Sequence, residues 1–157
     1  TVWFLVIYTI AGISDVVDGT IARKLGKSSD FGATLDSISD LVFYSVMILK
    51  MMPTLIKTLP GIIWYEVALV LVIRIAAYIA AAVKYKRFAS VHTWLNKLTG
   101  AGVFGLPYAF AFSIGVPYSF VACTIGLISS TEELLIHLCT KDYDRRIKSV
   151  FDIKKIK

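Results

Sequence analysis

Five carboxylates lie within residues 15 to 40 of a chain that is otherwise rich in apolar residues. Asp15 and Asp18 are three residues apart, and Asp36 and Asp40 are four residues apart. If both segments are helical, each pair projects from nearly one face of its helix, because residues three and four apart are neighbours on a helix surface. The spacing therefore predicts two acidic stripes that can converge.

Four converging carboxylates suit one or two divalent cations, because Mg²⁺ and Mn²⁺ prefer oxygen ligands. The stretch contains no histidine, which argues against a zinc site with histidine ligands. Arg23 follows the first acidic pair, and a cation site beside an arginine points to phosphate chemistry. We interpret Asp30 as an interfacial partner of nearby basic residues. The predicted metal ligands are Asp15, Asp18, Asp36 and Asp40.

The segment between the two acidic pairs favours a helical hairpin. Its connection, KLGKSS, is short, with Gly26 suited to a turn and Ser28 or Ser29 suited to capping the second helix. Small residues share the acidic faces, which allows the helices to approach closely or leaves room for a flat ligand. These small residues are Gly19, Ala22 and Gly32.

The elements that carry these residues are expected to cross a membrane. Hydrophobic residues make up 57% of the 157 residues, and the mean hydropathy is +0.71. Apolar runs of about 20 residues, the length that a bilayer requires, predict an all-α polytopic membrane helix bundle with five spans. The predicted spans are residues 2–23, 31–51, 62–83, 95–114 and 117–139.

Lysine and arginine are distributed unevenly between the two sets of connections. Fourteen of the 17 fall in the connections after the first and third predicted spans and in the tail, whereas only Lys50 and Lys57 fall on the opposite side. Because basic residues accumulate on the cytoplasmic side, we expect a cell-membrane protein whose site faces the cytoplasm. We expect residues 1–140 to form a transmembrane catalytic domain and residues 141–157 a basic cytoplasmic tail. A nucleic-acid partner is not expected, because no soluble basic domain is predicted.

The acidic stretch resembles the signature of the CDP-alcohol phosphotransferase family, D-x-x-D-G-x-x-A-R, eight residues, then G-x-x-x-D-x-x-x-D. Each specified position is matched, which makes the resemblance highly specific. The matching residues are Asp15, Asp18, Gly19, Ala22, Arg23, Gly32, Asp36 and Asp40.

The resemblance implies transfer of a substituted phosphate from a CDP-linked alcohol, here CDP-diacylglycerol, to a hydroxyl acceptor with release of CMP. It implies that the four aspartates surround the metal site and that Asp40 is the general base. CDP would be bound by Asp15, Asp18, Gly19, Ala22, Arg23 and Gly32. Family members usually have six spans, so a further span is expected before Thr1. The resemblance also implies a homodimer.

Polar residues outside the motif are candidates for binding the acceptor. Lys97 is similar to a lysine that family members often place near the acceptor phosphate, although it also suits an interfacial position. Arg74 lies inside the third predicted span, and Glu132 and Glu133 lie inside the fifth, so an ion pair between these helices is expected. Arg74 is the second candidate for the acceptor. Among polar or phosphorylated alcohols, glycerol 3-phosphate is the first expectation.

Two other classes of protein use membrane carboxylates. Intramembrane prenyltransferases bind pyrophosphate donors through aspartates and Mg²⁺, but their two motifs lie far apart, whereas both occur here within 26 residues. A cation transporter or channel is the non-enzymatic alternative. An ion path has no use for Arg23 beside its carboxylates, so the arginine disfavours that alternative.

Overall fold

The computed structural model describes the backbone of residues 2–24, 30–86, 93–140 and 148–155. Side chains are described for these residues except 15–16, 18–24, 30–38, 40–41 and 153–155. Five α-helices and a short 3₁₀ helix, Val150–Lys155, make up the regular structure of these described residues. The α-helices are α1 Val2–Lys24, α2 Asp30–Thr58, α3 Gly61–Tyr85, α4 Trp94–Ala111 and α5 Gly115–Cys139. Over the described residues the all-α prediction is confirmed, with one helix for each predicted span.

Within the described part of the chain, two helices are long and apolar enough to cross a membrane. They are α3 and α5, each of 25 residues. The apolar part of α1, Val2–Ser14, is shorter. Membrane crossing by all five helices therefore stays a prediction.

Two helix ends differ from the expected limits for local reasons. Helix α2 continues through Pro53 to Thr58 and ends where Leu59 precedes Pro60, because the residue before a proline disfavours helical backbone. Helix α4 ends at Ala111, because Ser113 adopts left-handed backbone with φ 62°. The next amide, of Ile114, then donates to the Ala109 carbonyl at 2.9 Å, which closes the helix end.

Residues 1–58 form one compact unit, in which α1 and α2 contact each other. The rings of Tyr8 and Phe43 stack across the pair, with centroids 4.7 Å apart and planes 13° from parallel. Only five residues separate the two helices in sequence, so they form an antiparallel hairpin. This stacked pair supplies the register of the hairpin.

Residues 59–157 form the second compact unit, in which α3, α4 and the 3₁₀ helix all pack on α5. Small residues permit the close approach: Ala77 and Ala81 of α3 are buried, and Gly126 of α5 faces the Thr99 side chain of α4. Lys84 donates to the carbonyls of His137 and Leu138 at 2.8 and 2.9 Å. A lysine thus binds the carbonyl groups that the C-terminal end of α5 leaves without helical partners.

The contact between α4 and α5 leaves no room for a side chain at Gly105. A Cβ there would collide with Tyr118, whose hydroxyl donates to the Gly102 carbonyl at 2.9 Å. Gly100 provides a matched control, because a Cβ there would meet no atom within 4 Å.

Gly105→Ala is expected to lower the free energy of unfolding by about 1–3 kcal/mol through overpacking. Gly100→Ala is expected to raise it by up to about 1 kcal/mol, because alanine is the better helix former. Thermal unfolding of both variants in detergent, followed by circular dichroism, measures the difference. Equal stabilities would contradict the close packing of Tyr118 against Gly105.

Candidate active site

The signature residues lie on the two helices of the hairpin. The positions on α1 are Asp15, Asp18, Gly19, Ala22 and Arg23, and those on α2 are Gly32, Asp36 and Asp40. The predicted adjacency of the two motif helices is confirmed. All eight side chains lie outside the described residues, so the metal and CDP contacts assigned to them stay predictions.

The register of the hairpin places the two halves of the motif at the same height. Asp15 follows Tyr8 by seven residues in α1, and Asp36 precedes Phe43 by seven residues in α2. In an antiparallel pair both displacements run toward the connection, each by about 10.5 Å at 1.5 Å per residue. The backbone positions of Asp15 and Asp36 are therefore level.

Helical periodicity also relates these positions to the stacked rings. Seven residues make almost two turns, so position 15 returns to the face of α1 that carries Tyr8. By the same count, position 36 returns to the face of α2 that carries Phe43. Because the two rings contact each other, positions 15 and 36 lie on the facing sides of the hairpin.

The second unit contains a polar junction around Arg74, where α3, α4 and α5 meet. Its guanidinium donates to Oδ1 of Asn96 at 3.2 and 3.3 Å and to the Ser130 hydroxyl at 3.3 Å. Its Nη1 lies 3.7 Å from Oε2 of Glu133. The Glu133 side chain is 1% exposed and that of Arg74 is 22% exposed, so the charge pair is almost enclosed by the protein.

The expected ion pair between the third and fifth predicted spans is confirmed for Glu133 only. Successive residues on a helix point about 100° apart, and Glu132 accordingly points elsewhere. Its Oε1 accepts hydrogen bonds from the Ser149 hydroxyl at 2.8 Å and from the Val150 amide at 3.1 Å. Glu132 thus binds the start of the 3₁₀ helix instead of Arg74.

Lys97 and Arg74, the two candidates for the acceptor, have different surroundings. Lys97 is exposed, and its ammonium lies 4.9 Å from the centroid of the Trp94 ring. The neighbouring Asn96 accepts hydrogen bonds from Arg74 through its side chain. The backbone N–H of Asn96 donates to the Thr93 hydroxyl, which caps α4. Arg74 therefore contacts Asn96 and Ser130, and neither contact was predicted from the sequence. The polar run SSTEE in an apolar helix was the available signal for Ser130.

Comparison with known proteins decides the family. The family model for CDP-alcohol phosphatidyltransferases matches residues 1–131, most of the chain. The chain belongs to this family. The resemblance carried by the acidic signature is confirmed. No solved structure matches.

The curated relatives carry three different enzyme names, two of which specify an acceptor. The chain is 29% identical over 113 residues to a cardiolipin synthase (CMP-forming) of Streptomyces coelicolor, covering 69% of this chain and 47% of the relative. It is 29% identical over 132 residues to a CDP-diacylglycerol–glycerol-3-phosphate 3-phosphatidyltransferase of Pseudomonas fluorescens, covering 77% and 66%. A CDP-diacylglycerol–serine O-phosphatidyltransferase of Methanocaldococcus jannaschii is 56% identical over 43 residues, covering 27% and 21%. The chain thus spans about half to two thirds of the first two relatives.

The junction around Arg74 predicts a coupled response to substitution. Arg74→Gln would remove the guanidinium beside buried Glu133 and leave the His137 ring, 3.9 Å away, as its neighbouring ionisable group; loss of one partner of a buried charge pair typically costs about 3–5 kcal/mol of stability. Arg74→Gln combined with Glu133→Gln removes both charges, so we expect this double variant to be more stable than Arg74→Gln alone. Unfolding in detergent of the two single variants and the double variant measures the coupling. Strictly additive losses would show that the two charges do not stabilise each other.

Proposed function

We propose that this chain carries the catalytic helices of a membrane phospholipid synthase. The enzyme transfers a phosphatidyl group from CDP-diacylglycerol to a hydroxyl acceptor and releases CMP. The observation that carries the proposal is the complete signature on two adjacent antiparallel helices, with Asp15 and Asp36 level on the facing sides. The names of the relatives support the donor, because two of them specify CDP-diacylglycerol and the third specifies CMP formation.

Glycerol 3-phosphate is the proposed acceptor. The relative named for it covers 77% of this chain, whereas the match to the relative named for serine is only 43 residues long. We assign the acceptor phosphate to Lys97 and Arg74. The hydrogen bonds that Arg74 donates to Asn96 and Ser130 hold its side chain in one orientation, and its 22% exposure leaves part of the guanidinium accessible.

The motif has the donor set for Mg²⁺ or Mn²⁺. Carboxylate oxygens are the ligands that these hard cations prefer, and facing positions on two helices let ligands from both converge. One or two ions would be held by Asp15, Asp18, Asp36 and Asp40. When bound, a divalent ion neutralises charge that develops on the pyrophosphate during transfer.

The remaining signature residues are assigned to the donor and to proton transfer. Arg23 would bind the pyrophosphate of CDP, and Asp15 and Asp18 would also contact CDP. The small residues Gly19, Ala22 and Gly32 would leave space for CDP beside the helices. Asp40 would accept the proton of the acceptor hydroxyl while the oxygen of that hydroxyl attacks the phosphatidyl phosphorus. The bond from that phosphorus to the CMP oxygen then breaks, and CMP leaves.

A bilayer is the proposed environment, with the site facing the cytoplasm of a multi-pass cell-membrane protein. Helix α3 exposes a series of large aliphatic side chains, which suits lipid contact better than water. These are Leu69, Leu71, Val72, Ile75, Ile79 and Val83. We retain residues 1–140 as the transmembrane catalytic domain and residues 141–157 as the basic cytoplasmic tail, and homodimer formation also stays a prediction.

An assay of CMP release tests the proposed function. Purified protein is incubated with CDP-diacylglycerol, Mg²⁺ and one acceptor at a time, and the lipid products are resolved by mass. We expect CMP release with glycerol 3-phosphate to exceed that with serine, inositol phosphate or phosphatidylglycerol. Release with another acceptor would correct the acceptor alone. Absence of release with every acceptor would favour the prenyltransferase or cation-transporter alternative.

Asp40→Asn separates proton transfer from metal binding. Asparagine keeps the shape and one oxygen ligand but cannot accept the proton, so turnover should fall about 10²- to 10⁴-fold while much of the Mg²⁺ and donor affinity remains. Asp18→Asn and Asp36→Asn are the matched variants, and they should lose metal affinity and turnover together. Metal titrations and single-turnover rates make the comparison. Near-normal turnover of Asp40→Asn at saturating Mg²⁺ would restrict Asp40 to ligation.

A further inference from the structure

Ser149 and Val150 are held against α5 by a buried carboxylate. Glu132, which is 7% exposed, accepts one hydrogen bond from the Ser149 side chain and one from the Val150 backbone. A carboxylate in such a place needs donors to offset its lost hydration. The 3₁₀ helix that follows is therefore anchored to α5 at its first residues.

A second contact fixes the same segment to the start of α4. The Trp94 amide donates to the Lys148 carbonyl at 3.1 Å. The Lys148 amide in turn donates to Oδ2 of Asp152 at 3.2 Å. Backbone bonds on both sides thus place Lys148 beside Trp94, although the two residues are far apart in sequence.

The result is an exposed indole with two cations beside it. The ammonium of Lys97 lies 4.9 Å from the centroid of the Trp94 ring, and that of Lys148 lies 5.7 Å from it. Among the described residues, neither ammonium has a carboxylate within ion-pair distance. Two like charges held near one ring repel each other, and an anion close to both would relieve the repulsion.

Large apolar rings are exposed at Trp94 and at Phe151, three residues after Lys148. Trp94 is 64% exposed, and Phe151 of the 3₁₀ helix is 79% exposed. Water solvates such rings poorly, whereas the headgroup region of a bilayer accepts aromatic rings together with lysine ammonium groups. A soluble phosphate would satisfy the two lysines but would leave both rings in water.

We propose that Trp94, Lys97, Lys148 and Phe151 form a docking surface for the phosphate headgroup of an anionic phospholipid, with the rings inserted at the bilayer surface. We call it the Trp94 surface. This inference rests on the membrane location proposed above. It gives the C-terminal segment a definite role, because Glu132 and Ser149 place the second lysine.

Quenching by brominated lipids tests the Trp94 surface in the full chain. Trp3→Phe and Trp64→Phe leave Trp94 as the only tryptophan. The protein is reconstituted in bilayers of phosphatidylcholine and phosphatidylglycerol. Phosphatidylglycerol is brominated in one sample and phosphatidylcholine in the other, and the difference in quenching measures the relative affinity of the two lipids at Trp94. A lysine near an anionic surface contributes about fivefold to such a preference.

We expect phosphatidylglycerol to be preferred, with Lys97→Gln and Lys148→Gln each lowering the preference about fivefold. Ser149→Ala, which removes one hydrogen bond to Glu132, should also lower the preference for phosphatidylglycerol, but by a smaller factor. Lys50→Gln is the control, because it removes the same charge from an exposed position on α2. An equal loss with Lys50→Gln, or a preference that neither lysine affects, would overturn the proposal.

A second arm distinguishes lipid from free phosphate. Inorganic phosphate is added to the protein in pure phosphatidylcholine bilayers. Because Lys97 is also assigned to the acceptor phosphate, the discriminating residue is Lys148, and a change in Trp94 emission that requires Lys148 would assign the surface to a soluble phosphate and overturn the lipid proposal. CMP release is measured on the same samples. Release without a lipid preference at Trp94 would contradict only this inference, and a lipid preference without release would contradict only the proposed transferase activity.

Discussion

The buried carboxylate of Glu133 in α5 requires a cation close to it in the second unit. An ionised carboxylate enclosed in an apolar interior is very unstable unless a cation and hydrogen-bond donors accompany it. Arg74 of α3 supplies the cation, and its guanidinium also reaches Ser130 on α5 and Asn96 on α4. One charge pair therefore determines which faces of three helices must meet.

The backbone carbonyls at the C-terminal end of α5 also need partners. The last carbonyls of a helix lack partners within the helix. Water cannot hydrogen-bond to such carbonyls in the hydrocarbon region of a bilayer. Lys84 binds two of these carbonyls, and the Tyr85 hydroxyl lies 2.7 Å from that of Thr140. Helix α3 is therefore joined to α5 both at its middle and at its C-terminal end.

The hairpin of the first unit depends on packing between rings. The Tyr8 ring, which is buried, stacks on Phe43 and also lies 5.8 Å from Phe4. A stacked pair two turns away from the motif aligns the helices without using the polar residues themselves.

The number and type of the described helices and the family could be predicted from the sequence. Both are local properties: apolar runs of sufficient length predict helices, and the fixed spacing from Asp15 to Asp40 identifies the signature within 26 residues. The level alignment of Asp15 and Asp36 required one tertiary contact, between Tyr8 and Phe43, in addition to the helical periodicity.

The pairing of the polar residues, in contrast, depends on tertiary contacts. Glu132 and Glu133 are adjacent and chemically identical, yet one binds Arg74 and the other binds the segment that starts at Ser149. Their difference arises from the 100° rotation between successive helical residues and from the faces that α3, α4 and the 3₁₀ helix present to α5. Those faces are set by packing among residues far apart in the chain, which no local pattern encodes.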